Sequence, residues 1–311
     1  MEVILSAVLL LIGLVMLCFG GNWLVSGGVA IAKKFRISNL VIGMTIVAYG
    51  TSTPELAASI AAAGDHSAII LGNIVGSNIA NVGMVIGVAA ILVPLAIQKS
   101  VLRKEIPIML GVSMLLVLLS IDGEISQYDG ALLLVGLGVF AFYTFRDALK
   151  QRIKTENTSE NTSNNIYLKS FGLIAIGIVV LYIGAILTVD NAVIIATEFG
   201  LSEKIIGLTV IAIGTSLPEL ITSIIAIRKG HSEIGIGNII GSNIYNILMI
   251  MGVGAALGGV LITADVYVDY AIMIIFSLSL LIGLKTKIIN RTMGIILATG
   301  YILYLVTTFF K

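Results

Sequence analysis

Charge is scarce in this chain: only 11% of its 311 residues are Asp, Glu, Lys or Arg, and 58% are hydrophobic. Soluble domains carry about 25% charged and about 45–50% apolar residues. A soluble chain this apolar could not cover its own surface, so a cytosolic enzyme, a nucleic-acid binder and a disordered protein are excluded. The mean hydropathy of +1.10 agrees. One cysteine, Cys18, excludes an intrachain disulfide and reads as a small buried hydrophobe. The two histidines, His66 and His231, fall in expected short loops and read as solvated. There is no His-Glu-x-x-His, no phosphate loop and no Gly-x-Ser-x-Gly elbow. A membrane metalloenzyme is therefore left without a nucleophile or a zinc-ligand set. The net charge of +1 points to no acidic partner.

What the chain has is apolar runs separated cleanly by charges. Spans are expected near 3–31, 38–63, 67–95, 105–121, 129–146, 168–198, 204–227, 232–260, 266–284 and 292–310. The first run has only Met1 and Glu2 before it and outlasts a signal-peptide core, so it reads as a retained helix. Alternate loops collect 16 of the 18 basic residues, from Lys33, Lys34 and Arg36 through to Lys285, Lys287 and Arg291. The other side has only Lys204 and Lys311. The positive-inside rule makes the basic side cytoplasmic, with both termini outside and the chain multi-pass in the cell membrane. The one long polar stretch, Lys150 to Asn165, reads as a flexible cytoplasmic linker.

That linker divides two similar halves. Ile37 to Leu56 matches Leu201 to Leu220 at 11 of 20 positions, and Leu71 to Val88 matches Ile236 to Val253 at 11 of 18. Each half has five expected spans, an odd number, so the second half enters from the opposite side. The expected fold is all-α and polytopic: ten transmembrane helices in two inverted five-helix repeats, with a first repeat over 1–149, a linker over 150–166 and a second repeat over 167–311. This plan places substrate near the midplane, between the repeats.

The repeated motifs carry the chemistry. Gly50-Thr51-Ser52-Thr53-Pro54-Glu55 and Gly214-Thr215-Ser216-Leu217-Pro218-Glu219 lie near mid-span. Each proline frees the carbonyl four residues earlier, of Gly50 and Gly214, and irregular backbone at this depth belongs beside protein or a watery cavity. Thr51 and Ser52 share a helical face with Glu55, as Thr215 and Ser216 do with Glu219. An intramembrane carboxylate is costly and marks an ion pathway. No lysine or arginine in any expected span can pair with either glutamate, so they need another cation or protons; the structural alternative is two protonated, hydrogen-bonded acids. The next spans carry Gly76-Ser77-Asn78-Ile79-Ala80-Asn81 and Gly241-Ser242-Asn243-Ile244-Tyr245-Asn246. Their glycines read as helix packing, and packing glue is also an alternative for Ser77, Asn81, Ser242 and Asn246. An oxygen-only donor set suits calcium, magnesium, manganese or sodium. Asp190, in the sixth span, reads as a structural hydrogen-bonding group, and Trp23 as packing or an interface anchor.

These motifs make the sequence resemble the sodium/calcium exchanger family of the cation/calcium exchanger superfamily, its short prokaryotic and archaeal members above all. The resemblance covers essentially the whole chain. It implies a core of spans two, three, seven and eight, with the long first and sixth spans sliding past it. It also implies a calcium site from Glu55, Glu219, Thr51 and Thr215. The implied sodium sites use Ala48, Thr51, Ser52, Glu55, Ser77, Asn81, Ala212, Thr215, Ser216, Glu219, Ser242 and Asn246. Some archaeal relatives and the potassium-dependent exchangers have Asp where this chain has Asn246. The Gly-Asn-x-x-Glu pattern of many proton/calcium exchangers is absent, since Gly72-Asn73 leads to Gly76 and Gly237-Asn238 to Gly241. The expectation is a sodium/calcium antiporter without enzymatic activity or cofactor. Its partners would be calcium, sodium and the bilayer, with a monomer the default. A proton/calcium antiporter using Glu55 and Glu219, or a cation channel, are the alternatives.

Overall fold

Hydrocarbon offers the backbone no hydrogen bonds, and an α-helix satisfies its own within one segment. The computed structural model, which describes residues 2–61, 63, 67–153, 165–200, 212–282 and 287–309, is accordingly almost all helix. Among the described residues, six helices are long and apolar enough to cross a membrane. They are α1 (Glu2–Phe35), α4 (Ser67–Leu92), α6 (Gln127–Ile153), α7 (Asn165–Glu198), α10 (Ser232–Gly258) and α12 (Arg291–Phe309). Shorter ones accompany them: α2 (Asn39–Thr51), α3 (Thr53–Ala61), α5 (Ile106–Leu119), α8 (Ala212–Thr215), α9 (Leu217–Arg228) and α11 (Val266–Ser279).

α1 and α7 have 34 residues each. At about 1.5 Å per residue that is ~51 Å of helix, against a hydrocarbon layer of ~30 Å. They pack antiparallel with backbones in near contact. A Cβ on Gly20 would meet Leu181 N at 2.8 Å and Gly177 O at 2.9 Å; one on Gly13 would meet Gly184 O at 2.8 Å, and one on Gly27 Ser170 O at 2.8 Å. Glycines seven residues apart on α1 thus seat against a small-residue stripe on α7.

α4 and α10 form the centre. Every residue of α10 from Ile234 to Tyr245 is buried. α2 lies against α10, where a Cβ on Gly237 would fall 2.7 Å from Leu40 O. The far ends are clasped alike: Gly87 of α4 against Gly294 and Ala298 of α12, and Gly130 of α6 against Gly252 and Ala256 of α10. Both α4 and α10 pass into π turns, at Asn81–Ile86 and Asn246–Met251. A third π turn, Gly43–Val47, lies within α2.

Among the described residues, four two-residue strands stitch the loops. β1 (Leu95–Ala96) pairs antiparallel with β4 (Ile288–Ile289), Leu95 opposite Ile289. β2 (Glu124–Ile125) pairs with β3 (Val260–Leu261), Ile125 opposite Val260. Beside the second pair, Tyr267 and Tyr270 of α11 reach Ser120 at the end of α5: Tyr267 Oη donates to Ser120 O at 2.6 Å, and the Tyr270 and Ser120 hydroxyls lie 2.9 Å apart.

Some expectations need correction. Cys18 is exposed, not buried; it lies on the outer face of α1, away from α7. Asp190 is exposed on α7, and its side chain makes no hydrogen bond among the described residues. α6 continues to Ile153, past the expected end at 146, because Asp147-Ala148-Leu149-Lys150-Gln151-Arg152 suits a helix that has left the apolar layer. Helix therefore takes both edges of the expected linker, 150–153 and 165–166. Trp23 packs on Phe19, ring centroids 5.9 Å apart, as expected of a packing residue. His231 is half-buried at the start of α10. His66, Lys204, Lys285, linker residues 154–164 and the expected start of the seventh span at 204–211 lie outside the described residues.

Candidate ion-binding site

Each proline motif breaks its helix as the missing N–H requires. α2 ends at Thr51, Ser52 has φ −84° and ψ 8°, and α3 begins at Thr53 with Pro54 in its first turn. In the second motif Ser216 has φ −90° and ψ 2°, between α8 and α9. Glu55 and Glu219 therefore stand in the first turns of α3 and α9. That end of a helix favours negative charge, because its N–H groups are unpaired.

Both carboxylates are 1% exposed. Glu219 Oε1 accepts from Ser52 Oγ at 3.2 Å and from Ser242 Oγ at 3.3 Å. Thr51 Oγ1 donates to Asn238 Oδ1 at 3.0 Å and lies 3.5 Å from Ser242 Oγ. Ala48 O, one turn before Ser52, accepts from Ser52 N and from Thr51 Oγ1. Thr51, Ser52, Glu219 and Ser242, four residues the sequence singles out, thus meet directly, and they come from both repeated motifs. On the other side Glu55 Oε2, Ser77 Oγ and Ser216 Oγ are buried with no hydrogen-bond partner, and so is Glu219 Oε2. Among the described residues, Ser77 and Ser216 thus make no hydrogen bond to Glu55 of the kind that Ser242 and Ser52 make to Glu219. Asn81 and Asn246, each 1% exposed, keep an unpartnered Oδ1. Thr215 and Ala212 lie in α8.

Lys104 Nζ lies 3.8 Å from Asp147 Oδ1. Among the described residues no lysine or arginine pairs with Glu55 or Glu219. Buried oxygens without a proton donor suit a hard cation, which takes carboxylate, carbonyl and amide oxygens alike.

Sequence reasoning missed the asparagines that brace this site. Asn73 Nδ2 donates to Glu55 O and to Ser59 Oγ, both at 3.0 Å. Asn238 Nδ2 reaches Glu219 O at 3.5 Å and Ser223 Oγ at 3.0 Å. Each ties the helix bearing a glutamate to its neighbour. Their signal was in plain view, since both stand in the repeated Gly-Asn-Ile-x-Gly-Ser-Asn run. Met109 and Met273 also went unread: Asn243 Nδ2 lies 3.6 Å from Met109 Sδ and Asn78 Nδ2 3.7 Å from Met273 Sδ.

A mostly helical membrane protein with paired buried carboxylates on broken helices has the makings of a cation transporter, and comparison with known proteins narrows the class. The model of the family described as "Sodium/calcium exchanger protein" matches residues 5–146 and again 169–310. The chain belongs to that family, whose members are transporters and not enzymes. It is 35% identical to inner membrane protein YrbG of Escherichia coli, over 97% of this chain and 96% of that one. It is 33% identical to sodium/calcium exchanger MaX1 of Methanosarcina acetivorans, over 97% and 98%. Among solved structures it is similar to the sodium-calcium exchanger NCX_Mj, with a TM-score of 0.86, 35% identity and coverage of 98% and 99%.

Proposed function

We propose that the protein is a secondary active antiporter that exchanges sodium for calcium by alternating access, with ten membrane spans in two inverted five-helix repeats. The observation that carries this reading is the pair Glu55 and Glu219. Both are buried at matched positions, have no basic partner among the described residues and stand among neutral oxygens. Calcium is held by these two carboxylates with the Thr51 and Thr215 carbonyls. Sodium ions use the same groups with Ala48, Ser52, Ser77, Asn81, Ala212, Ser216, Ser242 and Asn246. The basic loops face the cytoplasm, both termini face out, and the linker between the repeats is cytoplasmic.

Charge bookkeeping sets the coupling. One calcium ion on two ionised carboxylates is neutral, whereas three sodium ions, the loading that the family resemblance implies, leave one positive charge. One charge then crosses per cycle. Asn246 supplies no third negative charge, so no potassium ion is needed. Calcium uptake into sodium-loaded proteoliposomes should rise when the lumen is made positive and fall when it is made negative. The equilibrium accumulation should shift by about 2.3 kcal/mol per 100 mV, roughly fiftyfold. The potential is set with an ionophore for an ion other than potassium. Uptake indifferent to voltage, or dependent on added potassium, would overturn the charge assignment. Uptake driven by a proton gradient in the absence of sodium would favour proton coupling instead.

Deleting Thr155 to Asn164 should leave uptake within about twofold of the full chain, because a polar segment of this composition can bury little apolar surface. A deletion variant that binds calcium normally but does not transport it would show that the segment takes part in the cycle.

A further inference from the structure

Asn78 and Asn243, from the two repeated motifs, form a closed set of hydrogen bonds across the centre with Asn81 and Asn246. Asn78 Nδ2 donates to Asn243 O at 3.3 Å and Asn243 Nδ2 to Asn78 O at 3.4 Å. Asn81 Nδ2 donates to Asn243 Oδ1, and Asn246 Nδ2 to Asn78 Oδ1, both at 3.0 Å. All four residues are 1% exposed. The direction of every bond follows from chemistry. A backbone carbonyl can only accept, so the side-chain group facing it must be the amide NH2. That places the Oδ1 atoms of Asn78 and Asn243 toward Asn246 and Asn81, which must in turn offer their own NH2 groups. Rotating either outer amide would set oxygen against oxygen in a buried space. One orientation remains, in which the unpartnered atoms are Asn81 Oδ1 and Asn246 Oδ1. Asn81 lies one helical turn beyond Ser77, and Asn246 one turn beyond Ser242, which itself touches Glu219.

We propose that Asn78 and Asn243 are positioning residues that lock Asn81 and Asn246 oxygen-inward, so that the centre of the ion path presents two neutral oxygens and no N–H donor to a desolvated monovalent cation. The inference rests on the sodium/calcium reading and deepens it: an amide that could turn its NH2 inward would repel sodium, and the lock removes that option. It also lets Asn246 act as a cation ligand without a charge of its own.

The test is sodium displacement of radioactive calcium from purified full-length protein. Asn243→Leu removes the acceptor that orients Asn81, and Asn81→Ala removes the oxygen itself. Each should raise the sodium concentration for half-displacement by at least about tenfold, leaving calcium binding without sodium within about threefold. The double variant should be no worse than Asn81→Ala, because both changes remove one interaction. Asn243→Asp, whose acid form keeps an acceptor toward Asn81 and a donor toward Asn78 O, should restore displacement to within about threefold of wild type. Wild-type displacement in Asn243→Leu, additive losses in the double variant, or loss of displacement in Asn243→Asp would each overturn the proposal. If Asn243→Leu does not bind calcium at all, the Asp variant alone decides. Failure of the sodium/calcium reading would show separately, as wild-type protein whose bound calcium sodium does not displace.

Discussion

Replacing Glu219 with glutamine should abolish calcium uptake, and Glu55→Gln should do the same. Glutamine retains an amide oxygen that can accept from Ser52 and Ser242 as Glu219 Oε1 does. The substitution therefore removes a charge while leaving shape and hydrogen bonds nearly intact. Two unit charges about 4 Å apart interact by about 4 kcal/mol at an effective dielectric of about 20, and a divalent ion doubles that gross figure. If desolvation offsets two-thirds of it, about 2.7 kcal/mol is still lost, or roughly a hundredfold in calcium affinity. The measurement is calcium binding and calcium uptake on protein shown by thermal unfolding to be folded. Either variant transporting near the wild-type rate would remove its glutamate from the calcium site.

Gly20→Leu should bring turnover close to background while calcium binding stays within about threefold of wild type. A Cβ at this position falls 2.8–2.9 Å from backbone atoms of α7, which cannot swing aside as a side chain can. α1 and α7 must then separate, and overpacking of this kind costs about 1–3 kcal/mol. Neither helix contains a residue of the proposed ion site, so binding and movement come apart in this variant. Cys18→Leu, on the exposed face of the same helix, is the matched control and should change neither. Near-normal turnover in Gly20→Leu would mean that the close backbone contact of α1 and α7 has no part in the cycle.

The site was legible in the sequence wherever its chemistry was local. Pro54 and Pro218 fix their helix breaks by covalent structure, so the interruptions at Ser52 and Ser216 could be placed without coordinates. Repetition of the motif then identified the glutamates. Cys18 and Asp190 were misjudged for a different reason. A helix bathed in lipid is apolar on both faces, so the pattern that separates inside from outside in a soluble protein is missing. The pairing of Asn78, Asn81, Asn243 and Asn246 stayed hidden because the partners lie 162 to 168 residues apart in the chain. Composition tells that an asparagine is buried in such a chain, but not which carbonyl it faces.

The four short strands make a closed circuit. α5 is preceded by β1 and followed by β2, while α11 is preceded by β3 and followed by β4. Since β1 pairs with β4 and β2 with β3, the two helices are buckled to each other at both ends, like the long sides of a picture frame. Neither can slide along its axis without opening two buckles. Inside the frame, Met109 and Met273 press on the asparagine centre from opposite helices. Among the described residues α1 and α7 belong to no strand pair, and they meet where Ile174 and Leu181 of α7 seat against Gly27 and Gly20 of α1. In the proposed cycle, stiffness and slip would then fall to different helices: the framed pair would keep the shape of the ion site, and the unbuckled pair would travel.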